Sequence, residues 1–197
     1  MGAIIKPVVV LLAICLVISV SLALTFGLTR ERIAASETAE ADAARTDVFP
    51  GAVFEPVYCL SAEEVSALRD FPAVVELYAA KADSRGDGVL GYVATVLAQG
   101  YGGEMTVIVG ISADQMITGV RISSNTETPG LGANATKPEF YGQYSGKDAS
   151  APLTVRKDGK TEAAGDIAAI SGATITSRAV TGAVAAAANA AASVSAG

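Results

Sequence analysis

The chain has 197 residues, of which 51% are hydrophobic and 17% are charged, a composition typical of a folded protein rather than a disordered one. Its 14 basic and 20 acidic residues give a net charge of −6, which argues against nucleic acid as a partner. The lack of histidine excludes Ser-His and Cys-His catalytic pairs and histidine-ligated metal sites, and two cysteines are too few for an iron–sulfur cluster.

The first predicted element is a membrane-spanning helix. Residues 7–28 contain no charged side chain, and a helix of that length spans about 33 Å, enough for a hydrocarbon core of about 30 Å. We predict a retained anchor over residues 1–28. A signal peptide cleaved after the small-x-small sequence 21–23 is an alternative, and a lipoprotein signal at Cys15 fits less well because the bulky Ile14 precedes it. Basic residues on both sides leave the orientation open.

Alanine and glutamate are concentrated in the next segment, residues 29–48, which favours a juxtamembrane helix or stalk that is polar on most faces. A Phe-Pro-Gly sequence ends it, so we predict one soluble domain over residues 49–197. Early in that domain, Ser61 and Glu64 have the spacing of a capping box at the start of a short helix. The helix must end or bend near Pro72.

Strand-forming residues dominate the middle of the chain. Four β-rich runs are separated by turn residues, with a turn expected at Gly86-Asp87-Gly88 and a hairpin loop at residues 112–115. A shorter strand is predicted at residues 153–155. The four runs are residues 74–80, 91–98, 105–111 and 117–122.

The chain ends in an alanine-rich segment that predicts a helix after Arg178, with Val180, Val184 and Ala187 on one apolar stripe. The order of elements predicts an α+β fold: one amino-terminal transmembrane helix followed by a single domain built on an antiparallel sheet.

Two polar segments are candidate binding sites. Residues 125–132, NTETPGLG, combine one carboxylate with small residues that let backbone N–H groups approach a ligand, although an ordinary Pro-Gly turn has a similar composition. Residues 171–178, SGATITSR, place four hydroxyls and one arginine before the predicted helix, which favours a phosphate site. The alternative is a hydroxyl-rich N-cap, but one cap needs only one hydroxyl.

The sequence resembles the covalent FMN-binding family, which includes the G subunit of the Rnf electron-transport complex and the C subunit of the sodium-pumping NADH:quinone reductase. The similarity runs nearly from end to end and in order, and the compact length is closer to that of the Rnf protein. The matching segments are FPGA at 49–52, GYGGEMTVIVGI at 100–111, ITGVRISS at 117–124, ETPGLG at 127–132, FYGQYSGK at 140–147 and SGATITSRAV at 171–180.

The resemblance implies that the Thr174 hydroxyl is joined to FMN as a phosphoester, installed from FAD by an ApbE-type flavin transferase that uses a divalent metal. It implies that the ETPGLG segment lines the isoalloxazine ring and that Lys157 lies near the flavin. Neither a catalytic acid–base pair nor a metal site is evident. Together with the phosphate-site hypothesis, this gives a cofactor-binding set of Glu127, Thr128, Gly130, Leu131, Lys157, Ser171, Gly172, Ala173, Thr174, Thr176, Ser177 and Arg178.

The resemblance also implies a function: an electron relay, rather than an independent catalyst, within a membrane ferredoxin:NAD⁺ oxidoreductase coupled to Na⁺ or H⁺ translocation. The implied partners are the other Rnf membrane subunits, especially the D subunit with its own covalent FMN, together with the flavin transferase and the lipid bilayer. The amino terminus would be cytoplasmic and the FMN domain extracytoplasmic. The alternatives are a stand-alone membrane-tethered flavoprotein and an anchored, non-redox anion-binding module.

Two positions depart from the family pattern. The aspartate that usually lies three residues before the serine of SGAT is replaced by Ala168, and the nearest acid is Asp166. If that aspartate helps the transferase, we expect attachment to be slower here or to use Asp166. The histidine that often lies two residues before the glutamate of ETPGLG is replaced by Asn125, which does not titrate near neutral pH.

Overall fold

The computed structural model describes residues 2–82 and 88–195, so the predicted turn at Gly86-Asp87-Gly88 lies largely outside the described residues. Contacts divide the chain into two compact units, Met1–Ala41 and Asp42–Gly197. The first unit is formed by most of helix α1 (Gly2–Val48).

Helix α1 contains one stretch, Val8–Gly27, that is long and apolar enough to cross a membrane, and a signal sequence would have the same properties. None of that stretch is buried within the protein. Two of its hydroxyls bond back to carbonyls one turn earlier: Ser21 donates to Val17 O at 2.8 Å and Thr25 to Ser21 O at 2.9 Å. Such bonds lower the cost of placing a hydroxyl in hydrocarbon.

The second unit is built on a five-stranded antiparallel sheet whose spatial order, β1-β2-β3-β4-β5, follows the chain. The predicted α+β fold is therefore confirmed. The predicted hairpin loop at residues 112–115 joins β4 to β5, and the Gln115 N–H donates to Ser112 O at 3.0 Å. The strands are β1 (Val53–Cys59), β2 (Ala73–Lys81), β3 (Val89–Gln99), β4 (Glu104–Ser112) and β5 (Ile117–Asn125).

Strand β1 was not predicted, because Glu55 and Pro56 interrupt its apolar pattern and most of its side chains are exposed at the sheet edge. The predicted capping box is confirmed at the start of α2 (Ala62–Ala67): the Ser61 N–H donates to the Glu64 carboxylate at 2.8 Å. The remaining short elements are α3 (Pro138–Tyr141), flanked by 3₁₀ turns at Gly132–Thr136 and Gly142–Tyr144, and the parallel pair β6 (Thr154–Arg156) and β7 (Asp166–Ala168).

Helix α4 (Thr174–Ser195) packs against one face of the sheet. The predicted apolar stripe is confirmed, since Val180, Val184 and Ala187 are fully buried. The helix begins at Thr174, five residues earlier than the sequence pattern indicated. The SGATITSR segment therefore spans the first turn of the helix rather than preceding it.

The opposite face of the sheet is covered in part by the end of α1. Val48 and Phe49 are buried there in a cluster with Val93 and Ile108. The fit is close, because a side chain at Gly110 would meet the Val48 carbonyl. Val48, the last residue of the predicted stalk, is thus buried in the second unit together with Phe49, the residue that follows it.

Candidate functional site

A cavity of about 500 Å³ lies between the loop that follows β5 and the start of α4. Both segments singled out from the sequence contribute to its walls, although residues 132 and 171, their nearest ends, are 39 positions apart in the chain. The lining residues are Tyr101, Glu127, Thr128, Leu131, Gly132, Gly172, Ala173, Thr174, Ile175 and Thr176.

Glu127 is the buried anchor of this cavity, with 7% of its surface exposed. Its Oε1 accepts backbone N–H groups from Tyr101 at 2.7 Å and from Gly102 at 3.3 Å. Its own N–H donates to the Asn125 side chain at 3.2 Å. Bonds from neutral donors to a carboxylate are stronger than bonds between neutral groups, so this carboxylate fixes the turn between β3 and β4 against the loop after β5.

Two glycines allow the walls to approach one another. A Cβ at Gly132 would overlap the Glu127 carboxylate and would come within 2.7 Å of Thr176 Oγ1. Gly172 has a φ of +74°, a left-handed conformation that favours glycine, and its α-carbon faces Leu131. Larger side chains at either position would push the two walls apart.

The start of α4 forms the floor of the cavity next to Thr174, which is half-buried and is the first residue of the helix. Ser177 braces this turn: its hydroxyl donates to Ala173 O at 2.9 Å and accepts the Ile170 N–H at 3.0 Å. The first turn of a helix leaves N–H groups without intrahelical acceptors, and the helix dipole adds a positive potential. The arrangement favours a bound anion beside Thr174.

Thr176 contributes an unpaired group. Its side chain is fully buried and lines the cavity, yet its hydroxyl has no hydrogen-bond partner among the described residues. Leaving a buried hydroxyl unpaired costs about 1–3 kcal/mol.

Five predicted site residues do not line the cavity. Gly130 and Ser171 are exposed neighbours of lining residues, and the Ser177 hydroxyl is used within the fold. Arg178 lines a separate groove between α4 and β6, and Lys157 is exposed in the turn after β6. The proposed roles of Arg178 and Lys157 stay predictions.

Sequence reasoning did not assign Tyr101, Gly132 and Ile175 to the site. Tyr101 is 74% exposed and Ile175 is 54% exposed, so both leave large apolar groups at the cavity mouth. All three lie in segments that carried the family resemblance, which was the available signal. Only the folded chain shows that they border one cavity.

The acid nearest to the SGAT segment, Asp166, forms its hydrogen bonds within the loop between β6 and β7. Asp166 is buried and accepts the N–H groups of Glu162 at 3.1 Å and Ala163 at 2.9 Å, which closes the loop between β6 and β7. The backbone of Ala168 is held by the Gln143 side chain, which accepts its N–H at 2.8 Å. That Asp166 takes the place of the usual aspartate stays a prediction.

Residues 100–189 match the FMN-binding domain family, and this range includes the entire cavity lining. The class of the soluble unit is therefore an FMN-binding domain. Over 180 residues the chain is 38% identical to the G subunit of the Na⁺-translocating ferredoxin:NAD⁺ oxidoreductase complex of Acetobacterium woodii, covering 89% of this chain and 85% of that protein. The chain belongs to the G-subunit family of ion-translocating oxidoreductase complexes, which confirms the resemblance.

Two further similarities were found. The G subunit of the proton-translocating ferredoxin:NAD⁺ oxidoreductase complex of Clostridium ljungdahlii is 41% identical over 100 residues, 51% of this chain and 52% of that protein. The crystal structure of the C subunit of Na⁺-translocating NADH-quinone reductase from Parabacteroides distasonis has a TM-score of 0.46 and 32% identity, and the match covers 55% of this chain and 56% of that one.

Proposed function

We propose that this protein is the electron-relay subunit of a membrane ferredoxin:NAD⁺ oxidoreductase, coupled to Na⁺ or H⁺ translocation, and that it carries FMN covalently on Thr174. One observation carries the attachment site. Thr174 is the first residue of α4, and it lines the same cavity as the ETPGLG loop. Membership of the G-subunit family supports the assignment to the complex, and the FMN-binding domain supports the cofactor.

The residues present fit FMN. A phosphoester at Thr174 would lie at the start of a 22-residue helix, where the backbone N–H groups and the dipole stabilise negative charge. The Glu127 carboxylate and the two glycines that let the walls approach provide a polar wall and room for a ligand. When bound, FMN supplies the electron-transfer chemistry, so the protein needs no acid–base pair of its own.

The chain's own residues then hold and expose the cofactor. Glu127 fixes the loop that forms one wall, and the helix start forms the other. Tyr101, Leu131 and Ile175 are exposed apolar groups at the mouth, where they would border the ring without covering it. A relay requires such an accessible edge, because its electron donor and acceptor must both approach.

The membrane arrangement belongs to the same proposal. Residues 1–28 anchor the chain, residues 29–48 form the stalk, and residues 49–197 form the FMN-binding domain on the extracytoplasmic side. The other membrane subunits, above all an FMN-carrying D subunit, exchange electrons with it, and an ApbE-type transferase loads it from FAD. The half-buried position of Thr174 supports loading of the folded domain, since its side chain is accessible in part.

The test is to co-express the full chain with an ApbE-type flavin transferase and to compare wild type with Thr174→Val. We expect a fluorescent wild-type band, heavier by one FMN less one water, and a dark variant that folds normally because valine is nearly isosteric with threonine. Thr128→Val is the matched control: it removes another cavity hydroxyl and should still gain FMN.

Covalent flavin on the Thr174→Val variant would contradict the attachment site. A wild type that stays dark beside an active transferase would contradict covalent loading and favour the anion-binding alternative.

A further inference from the structure

The strand that leads towards Thr174 is bonded along one edge by a side chain. Strand β7 belongs to a two-stranded sheet, in which its three residues pair in parallel with β6. At its other edge, Gln143 Oε1 accepts the Ala168 N–H at 2.8 Å, and Gln143 Nε2 donates to Ala168 O at 3.3 Å. One amide side chain therefore satisfies both backbone groups of Ala168, as a neighbouring strand would.

So short a strand depends on this support. Parallel pairs are slightly less stable per residue than antiparallel ones, and two strands alone are marginal in water. Leaving a backbone N–H or C=O without a partner away from water costs about 1–3 kcal/mol. The Gln143 amide supplies both partners at Ala168, so it stabilises the end of β7.

The base from which Gln143 projects is itself firmly held. The next residue, Tyr144, is fully buried, and its ring packs edge-on against Phe140 with the ring centres 5.8 Å apart. The Tyr144 hydroxyl bonds the Thr181 hydroxyl at 2.8 Å, which ties the same 3₁₀ turn to α4. Two adjacent side chains thus bond β7, which precedes the SGAT segment, and α4, which follows it.

A hydrogen-bonded turn of residues 170–173, here called the acceptor turn, connects β7 to Thr174. The Ala173 N–H donates to Ile170 O at 2.9 Å, which closes the turn. The Ile170 N–H donates to the Ser177 hydroxyl at 3.0 Å, which bonds the turn to α4. The acceptor turn is therefore held by the helix on one side, and the strand that enters it is held by Gln143.

The proposed attachment reaction demands accurate placement of Thr174. Its hydroxyl oxygen forms a bond to the flavin-side phosphorus of FAD, and the phosphoanhydride bond breaks. AMP leaves with the bonding electrons, and the hydroxyl proton passes to a base of the transferase. The attacking oxygen must lie in line with the leaving group, and a misplacement of about 1 Å can slow such a step about 100-fold.

We propose that Gln143 is a positioning residue for flavin attachment. By holding the backbone of Ala168, it keeps the acceptor turn in the conformation that presents Thr174 to the transferase. Gln143 lines a groove of about 420 Å³ beside Ala168 and is not among the residues that line the FMN cavity, so it acts through the turn. This role rests on the proposed function, because it concerns the loading of Thr174.

The experiment uses the full chain in detergent, purified without flavin and incubated with an ApbE-type transferase, FAD and a divalent metal. Intact mass followed over time gives loading rates at several concentrations of the chain. Gln143→Met removes both hydrogen bonds at similar size, and we expect kcat to fall about tenfold while KM stays unchanged. Gln143→Glu keeps an acceptor for the Ala168 N–H and should lie between Gln143→Met and wild type.

Ser145→Ala is the matched control, two residues later in the chain. The Ser145 hydroxyl donates to Thr118 O on β5 at 3.1 Å, so this variant loses a hydrogen bond that does not involve β7. It should load like wild type. Hydrogen exchange of the unloaded proteins gives a second readout: the amides of residues 168–173 should exchange faster in Gln143→Met but not in Ser145→Ala.

Thermal unfolding establishes first that each variant is folded at the assay temperature. Wild-type loading kinetics in folded Gln143→Met would overturn the role of Gln143 and leave attachment at Thr174 standing. A raised KM with an unchanged kcat would also overturn it, since Gln143 would then contact the transferase directly. If Gln143→Met does not fold, Gln143→Glu decides by the same measurements. If wild type gains no mass, the proposed function fails and this role fails with it.

Discussion

Two glutamates, Glu76 on β2 and Glu127 in the loop after β5, have different hydrogen-bond partners. Glu76 Oε2 accepts from the Arg45 guanidinium and from the Thr95 hydroxyl, each at 2.8 Å. Glu127 is held by backbone N–H groups, and no cation of the described residues pairs with it. The first carboxylate joins the end of α1 to the sheet. The second lines the cavity, and its Oε2 accepts no hydrogen bond from the described residues.

The difference between the two glutamates predicts that the stability of the fold and the binding of the flavin can be changed separately. Arg45 is 7% exposed, pairs with Glu76 and Asp42, and lies 4.2 Å from the centre of the Tyr78 ring. None of these residues lines the cavity, so changes there should alter folding and leave the flavin alone. Changes at the Glu127 end should alter the flavin more than the fold.

The largest expected effect is at Arg45. Arg45→Met leaves the half-buried Glu76 carboxylate without its cation, and we expect the free energy of unfolding to fall by about 2–3 kcal/mol. Urea unfolding followed by far-ultraviolet circular dichroism measures the loss. The double variant Arg45→Met with Glu76→Leu should recover part of it, because no unpaired charge remains. Loaded Arg45→Met should keep the wild-type visible circular dichroism of the flavin. A loss of that signal would show that stability and flavin binding are not independent.

A smaller change in stability is expected at Glu127. Glu127→Gln keeps an amide oxygen for the backbone donors but replaces a charge-assisted bond by a neutral one, so unfolding should become about 1 kcal/mol easier. The other end of the side chain becomes a donor, and the flavin dichroism should fall. Glu139→Gln, an exposed glutamate on α3, is the control and should change neither measurement. Intact flavin dichroism in Glu127→Gln would show that its carboxylate is purely structural.

The smallest effect is a pH dependence. Burial raises the pKa of Tyr78 from 10.0 to about 12, with its hydroxyl 3.7 Å from Cys59 Sγ. Between those pH values the unfolded chain has lost the phenolic proton while the folded chain keeps it, so stability is complete below pH 10 and falls as the pH rises towards 12. Urea midpoints measured across this window should fall less steeply for Tyr78→Phe. The exposed Tyr101→Phe should match wild type.

Local patterns in the sequence were sufficient for part of the fold. The capping box at Ser61, the hairpin loop at residues 112–115 and the stripe that includes Val184 each depend on residues close together in the chain, so spacing alone predicts them. The segments around Glu127 and Thr174 were also recognisable, because their composition is unusual and resembles a known family.

The remainder depends on contacts that no local pattern encodes. The burial of Val48 requires the glycines of β4 and β5 to leave space on the sheet. Tyr101 reaches the site because its N–H bonds Glu127, 26 positions later in the chain. Arg178 lies one helical turn after Thr174, yet it lines another groove, between α4 and β6.

The bracing of the α4 start bears on the order of maturation. Ile170, Ala173 and Ser177 bond to one another, and Gln143 holds the backbone of Ala168, so hydrogen bonds within the protein position Thr174. The acceptor hydroxyl is in place as soon as the domain has folded. Under the function we propose, attachment of FMN to Thr174 would then follow folding, and the cell could hold a folded pool of the protein that becomes active only when flavin is supplied.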